Sequence, residues 1–582
     1  MGARRGSGLT RREMLAAMGA AAAAGVACGD DGGGAGLVDA GPAGGDAGAD
    51  AGTGLPALWP VQDAGYVSAV PGLTGYGMDS VGGSGRDGAP GRVTVFLLSD
   101  LSTATVDRAV DGYQRIREGS LKGFAALPGP KVLLPVRSGY VEERDDFRPG
   151  SYCDVYGQFA PGDGLIFRNT LCSSVVTFGA TTARHQRWWH VDARPGDDAG
   201  GIPTGNRDGL SAGSAREDDD GGGSHNLYLN CAFLWTLDEI VDAYYGLDLA
   251  TFAYCVFAEP LHKSIHDDGV VESHGFGPIF GGGRRWDRLS LQRNLFAHAI
   301  ARQPLVAALH LAIANNLVYD PADTSGNVAR VLDLVNDYDA AQPNTQPMFT
   351  NWVGNLVVRG PSSHADAIDV VAMSVRQPDG SRGHVGGNGV DGWSFSSQDA
   401  LRTGTFPPGW AQPALVPEAW PAGWGDQGQG VARIGAATTP DGFSAAERRA
   451  FAARIAASVG PRPGQVTPAN RAAVIAGQVL AWLDGAPGAG EAVNSVDGGA
   501  DPAGWPDPGQ RFAPSAGGWP VLARVDENPF APTSWHAPLP LQGNAPDDRV
   551  LTSGTFDNGL SKVGLTAIEA WALTERYRRG GQ

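Results

Sequence analysis

Leu229-Asn230-Cys231-Ala232-Phe233, Ala253-Tyr254-Cys255-Val256-Phe257, Gln292-Arg293-Asn294-Leu295-Phe296, Ala314-Asn315-Asn316-Leu317-Val318 and Val353-Gly354-Asn355-Leu356-Val357 are five returns of one short pattern. Their middle residues stand 24, 39, 22 and 39 positions apart. The shorter step is the length of one coil of a parallel β-helix, and the longer step is the same coil with an inserted loop. Stacked coils set equivalent side chains about 4.8 Å apart, the spacing of hydrogen-bonded strands. Cys231, Cys255, Asn294, Asn316 and Asn355 are therefore expected to form one ladder, each Asn amide bonded to its neighbour.

Composition fits an exported β protein. The chain has 582 residues, 86 of them Gly and 40 Pro, with only 18% charged. A solenoid grows along one axis and so escapes the size limit that splits most long chains into several domains. The net charge of −18 argues against nucleic acid, whose phosphates require a basic surface. An acidic substrate would likewise be repelled unless a bound cation intervened. Outside the N-terminus no run of about 20 apolar residues offers a membrane span, and a monomer is expected.

Thr10-Arg11-Arg12-Glu13-Met14-Leu15 reads as a twin-arginine export signal, followed by an Ala-rich run to Ala27. Gly25-Val26-Ala27-Cys28 places small residues before a cysteine, so Cys28 is the expected lipidation site and residues 1–28 a lipoprotein signal. Residues 29–60, almost all Gly, Ala and Asp in their first part, read as a tether. The expected location is the cell envelope or cell surface, with the lipid as the sole membrane contact. Residues 61–420 are expected to form the β-helix and 421–582 a partly helical extension.

Within the coil, Arg92–Ser99, Val132–Val136 and Val175–Phe178 read as strands and Thr105–Glu118 as a helix. In the extension, Ser444 with Glu447 and Thr566 with Glu569 form capping boxes, and Thr467-Pro468 opens a run to Leu483. Cys231 and Cys255 read as core thiols. Cys153 and Cys172 are candidates for a disulfide in an oxidising compartment.

Several segments together resemble a known family. They are Gly157-Gln158-Phe159-Ala160-Pro161-Gly162-Asp163-Gly164, Arg194-Pro195-Gly196-Asp197, Asp208-Gly209-Leu210-Ser211 and Cys231-Ala232-Phe233-Leu234-Trp235-Thr236-Leu237-Asp238-Glu239. They continue with Glu259-Pro260-Leu261-His262-Lys263-Ser264, His274-Gly275-Phe276-Gly277-Pro278-Ile279-Phe280-Gly281-Gly282, Leu295-Phe296-Ala297-His298 with Arg302-Gln303-Pro304, and Gly517-Gly518-Trp519-Pro520. In this order they resemble the pectate lyases of polysaccharide lyase family 1, especially the secreted bacterial branch.

The resemblance implies an all-β, right-handed parallel β-helix that cleaves an acidic polysaccharide of pectate type by Ca²⁺-assisted β-elimination. It implies Asp238 and Asp242 as calcium carboxylates, placed on one face if the segment is extended. Asp208 or Asp197 is a further candidate ligand. Lys263 is implied as the contact to the substrate carboxylate and Arg302 as the acceptor of the C5 proton. His262, His274, Trp235 and Arg194 are expected along the substrate groove, and Trp188, Trp189 and Trp286 are candidate sugar platforms.

The chain departs from the pattern where Leu229-Asn230 stands in place of an acidic residue and a His, and where Leu305 stands in place of a second arginine. The residues alone leave other readings open. Asp238 and Asp242 also suit a solvated acidic edge or the carboxylate pair of a glycoside hydrolase, and Arg302 suits a surface ion pair. The histidines His262, His266 and His274 with Glu259 and Glu272 invite zinc. A carbohydrate-binding β-helix without catalysis fits the departures.

Overall fold

The computed structural model describes residues 67–395 and 444–578, with interruptions of which the longest are 335–346 and 497–512. The export signal, Cys28, the tether, Val175–Phe178 and Trp286 lie outside the described residues. Among those described, no helix is long and apolar enough to cross a membrane.

The chain winds as a parallel β-helix of three sheets. One full coil runs from Ser224–Leu229 in the first sheet through Ala232–Leu234 in the second and Val241–Tyr244 in the third, then back to the first at Asp248–Ala253. Register is continuous from coil to coil: Phe233 pairs with Phe257, Phe257 with Phe296 and Phe296 with Val318. The inward rings follow this register. Phe233 and Phe257 stack at 5.7 Å, Phe257 and Phe296 at 4.8 Å, and Tyr228 lies on Phe252 at 4.3 Å. Burying each such ring stabilises the coil by about 1.5–3 kcal/mol.

The expected ladder forms at the corner between the first and second sheets. Asn316 Oδ1 accepts from both the backbone N–H and Nδ2 of Asn294, at 2.9 and 3.0 Å. Asn355 Oδ1 serves Asn316 in the same way, and Asn388 serves Asn355, which extends the ladder by one rung. Asn294 in turn accepts from the N–H of Cys255 at 2.8 Å. The residue before each rung (Asn230, Tyr254, Arg293, Asn315 and Gly354) has φ between +54° and +66°. That left-handed step is what turns the chain sharply enough to pass from one sheet to the next.

Two expectations for the first coils are corrected. The segment read as a helix over Thr105–Glu118 forms the antiparallel strands Asp107–Ala109 and Ile116–Ser120. Asp111-Gly112 makes a hairpin turn, and Arg117–Asp107 and Arg108–Glu118 pair across the strands rather than along a helix. Cys153 carries a free thiol in the core, which burial pushes up to about 12; it does not pair with Cys172. A short helix, α1 (Leu121–Ala126), follows, and its last carbonyls receive Lys131 Nζ, with Phe124 O at 2.8 Å.

The outer faces are also apolar because the extension covers them, so the strands show little polar alternation. Helices α2 (Ala445–Ala456) and α3 (Arg471–Leu483) bring Phe451, Ile455, Ile475 and Val479 against Leu234, Val256, Leu295, Leu317 and Leu356 of the second sheet. Helix α4 (Ala567–Arg578) packs Ile568, Trp571 and Leu573 on Val95, Val132, Trp189 and Leu229 of the first. Both capping boxes form. Helix α3 starts at Arg471 rather than at Thr467, because the Asn470 side chain is tied back to Arg462 O and Gln465 O, each at 2.7 Å. Arg187, fully buried, joins α4 to the coil by pairing with Asp154 at 2.6 Å and with Glu569.

Candidate functional site

Four successive coils contribute to one place, between the end of the second sheet and the start of the third. Asp208 comes from the first of them, Asp238-Glu239 from the second, His274 and Phe276 from the third and Arg302 from the fourth. Backbone contacts fix the stack. Glu239 bridges to Phe276, Leu237 N–H donates to Arg207 O at 3.1 Å, and Gly277 N–H donates to Ala301 O at 2.9 Å. Gly277 is required at this point, since a Cβ there would lie 1.7 Å from Arg302 O. Arg302 itself has φ +61°, a strained setting for a non-glycine residue.

Asp238, Glu239 and His274 each offer one ligand atom, and these atoms lie within 4.8 Å of one another. His274 Nε2 faces Asp238 Oδ1 at 3.5 Å. Arg302 Nη1 donates to Glu239 Oε1, and the guanidinium lies over the Phe276 ring at 4.2 Å. Asp238 and Glu239 lie beneath the surface, whereas His274 and Arg302 each keep about 9% exposure. Solvent and any ligand therefore meet the imidazole and the guanidinium first.

No known family model matches the sequence, and no curated protein does. Among solved structures, the chain is similar to jun a 1, the major allergen from cedar pollen, at 11% identity over 60% of this chain and 89% of that one (TM-score 0.37). It is also similar to a pectate lyase from Acidovorax avenae subsp. citrulli, at 12% over 68% and 95% (TM-score 0.35). A third is a mannuronic acid specific lyase of polysaccharide family 6 from human gut microbiota, at 13% over 62% and 93% (TM-score 0.25).

Of the expected pair Asp238 and Asp242, the group of three donor residues contains Asp238. Asp238 sits in the turn that follows Trp235 (φ +55°), ahead of the strand Val241–Tyr244 that carries Asp242. Strand alternation therefore does not link the two, and Glu239 joins Asp238 and His274 while Asp242 stands outside that group. Asp208 Oδ1 accepts the N–H of Glu239 at 3.1 Å, so it positions the turn. Asp197 receives Ser264 Oγ at 3.2 Å and Val496 N–H at 3.3 Å, so it holds an outer hairpin to the extension.

That hairpin pairs Lys263–His266 with Val270–Ser273. Lys263 begins it, half-buried, opposite Ser273. His262, expected along the groove, is fully buried instead: Nδ1 contacts His274 O at 2.8 Å, and burial pushes the imidazole down to about 4. Glu259 is also removed from any zinc set, since it binds Arg471 and Trp235 Nε1 at the corner after the second sheet. Trp188 and Trp189 are buried, one facing the coil interior and the other covered with Leu565–Leu573, so neither is a sugar platform.

Arg194 and Trp235 lie on a different wall from Arg302. Both line a cavity of about 450 Å³ between the coil, the start of α3 and residues 516–520. The sequence departure at Asn230 has a structural cause. Its Nδ2 donates to Ser458 O at 2.7 Å and its Oδ1 accepts from Arg576, which locks two parts of the extension to the coil. Leu305 opens a buried strand of the third sheet. Glu239 is the residue that sequence reasoning passed over. Its signal was adjacency to Asp238 within a turn rather than a strand.

Proposed function

We propose that this chain is a polysaccharide lyase that cleaves a uronate-containing polymer of pectate type by cation-assisted β-elimination. The observation that carries the reading is the convergence of Arg302 with Asp238, Glu239 and His274 on one outer edge of the coil, from segments 63 residues apart. In β-elimination a base takes the C5 proton, the electron pair of the C5–H bond forms the C4–C5 double bond, and the C4–O bond breaks as the leaving oxygen takes a proton from water. Negative charge builds on the adjacent carboxylate, so the site must present positive charge there.

The carboxylates of Asp238 and Glu239 would hold a divalent cation, with His274 Nε2 as a third donor. Two carboxylates suit Ca²⁺; the imidazole is softer than the oxygen donors this ion prefers. A cation bound there neutralises the substrate carboxylate. Lys263, at the base of the neighbouring hairpin, supplies a second positive charge. Arg302 meets the sugar at the surface. For it to accept the C5 proton, the guanidinium must first give up a proton to solvent, since it has donors and no acceptor while charged, and Nη1, which donates to Glu239 in the present arrangement, must leave that carboxylate.

The commitment of Arg302 to Glu239 favours, as the second reading, a carbohydrate-binding β-helix without catalysis. Export through the twin-arginine route and attachment through Cys28 complete the proposal. Incubation with polygalacturonate and a panel of other uronans, with and without chelator, tests it through the ultraviolet absorbance of the new double bond. No unsaturated product from any uronan would overturn the lyase reading, and saturable binding without cleavage would establish the second.

A further inference from the structure

The cavity that holds Arg194 and Trp235 has the marks of a built ligand site. Its 450 Å³ falls within the range of about 300–1,000 Å³ that small-molecule sites occupy. Arg194 is fully buried. Its Nε and Nη2 bind Asp192 at 2.8 and 2.7 Å, and Nη2 also reaches Ala469 O, yet Nη1 has no hydrogen-bond partner among the described residues. Trp519 Nε1, on the same lining, is a second buried donor without one. Buried donors in native proteins are almost always satisfied.

The walls are aromatic and firmly held. Trp519 meets Trp235 edge to face at 4.9 Å, and the Arg168 guanidinium lies over its ring at 4.4 Å. Gly196 (φ +70°) leaves room for that ring, since a Cβ there would approach Trp519 Cζ2 to 2.5 Å. The carboxylates nearest the cavity are already used: Asp192 by Arg194, and Glu259 by Arg471 and Trp235. Two free donors, no free carboxylate and flat indole surfaces call for an occupant with oxygen acceptors and apolar C–H faces. The mouth opens at Val466, which is 72% exposed.

We propose that this cavity is a second saccharide site, built by the C-terminal extension against the coil, which takes an acidic sugar residue of a uronan chain. Arg194 Nη1 and Trp519 Nε1 donate to its carboxylate and hydroxyl oxygens, and the indoles pack on its ring. The lining includes none of Asp238, Glu239, His274 and Arg302, so a sugar bound here is held apart from the lyase site. The substrate class rests on the lyase reading; the cavity does not.

The test is calorimetric titration of the full chain carrying Arg302→Lys, in which turnover is slowed, with trigalacturonate and with maltotriose as the neutral probe. Saturable binding of trigalacturonate is expected. The part of this binding that belongs to the cavity should be at least tenfold weaker when Trp519→Phe removes the N–H with its five-membered ring, and lost when Val466→Trp fills the mouth, leaving only the binding at the Arg302 site. Absent binding, equal affinity for maltotriose, or an unchanged Kd in both variants overturns the proposal. Binding that depends on the cavity, alongside wild-type protein that forms no unsaturated product, would overturn the lyase reading and leave this site standing. Unsaturated product with an unchanged Kd would do the reverse.

Discussion

The guanidinium of Arg302 donates to Glu239 from two coils further along the solenoid, and Phe276 of the intervening coil lies under it at 4.2 Å. The pair links the surface of the candidate site to its floor. It also makes Arg302 a structural cation until Glu239 finds another partner.

On the proposed lyase reading, Arg302→Lys is expected to lower kcat for uronan elimination by about 100-fold or more, because the flexible ammonium lacks the planar fork that the proposal sets against the substrate. Thermal unfolding should stay near wild type, since a positive charge still faces Glu239. Rates unchanged by the substitution would remove Arg302 from the chemistry.

A divalent cation that binds the folded chain alone should raise Tm with concentration. Addition of Ca²⁺ or Mn²⁺ after chelation is expected to do so, and Asp238→Asn to remove most of the rise. Tm indifferent to Ca²⁺, Mn²⁺ and Zn²⁺ would show that the three donors hold no cation.

Asn316→Leu should cost about 2–4 kcal/mol, because it leaves the buried N–H of Asn294 without its acceptor and Asn294 Nδ2 with Phe252 O alone. Urea unfolding reads this directly, and an unchanged midpoint would mean the ladder does not hold the coils.

Glu569→Ala strips the buried Arg187 of one of its two carboxylates and Arg86 of its partner. The expected loss is about 3–5 kcal/mol. The measurement is the denaturation midpoint, and a loss below about 1 kcal/mol would show that the network does not anchor α4.

Burial pushes the His310 imidazole down to about 4. The unfolded chain takes up a proton near pH 6.5 that the folded chain refuses until about pH 4, so stability falls as pH drops through that window. The effect is about 3 kcal/mol. His310→Phe, which keeps a ring beside Phe349 where His310 lies tilted at 5.3 Å, should flatten this part of the acid dependence of Tm; an unchanged profile would refute the assignment.

Much of the coil was legible because its period is local. Each rung repeats Asn or Cys after a left-handed step, and the inward Phe residues follow in fixed register, so spacing alone specified the stacking. Three helices of the extension were legible from Ser444, Thr566 and the run to Leu483. The Thr105–Glu118 segment was misread because charges that suit a helix face pair equally well across a hairpin once Asp111-Gly112 turns the chain.

The sequence by itself determined the winding, since stacking obeys one short repeat and needs no knowledge of distant contacts. The site was decided only in three dimensions. That Glu239 and His274 join Asp238 depends on how the turn before Val241–Tyr244 sits on the next coil, and that Arg194 and Trp235 line a cavity depends on where α3 and Trp519 settle. The contacts that close the cavity join segments more than 200 residues apart along the chain, fixed by apolar surfaces that the linear pattern marks as buried without saying against what.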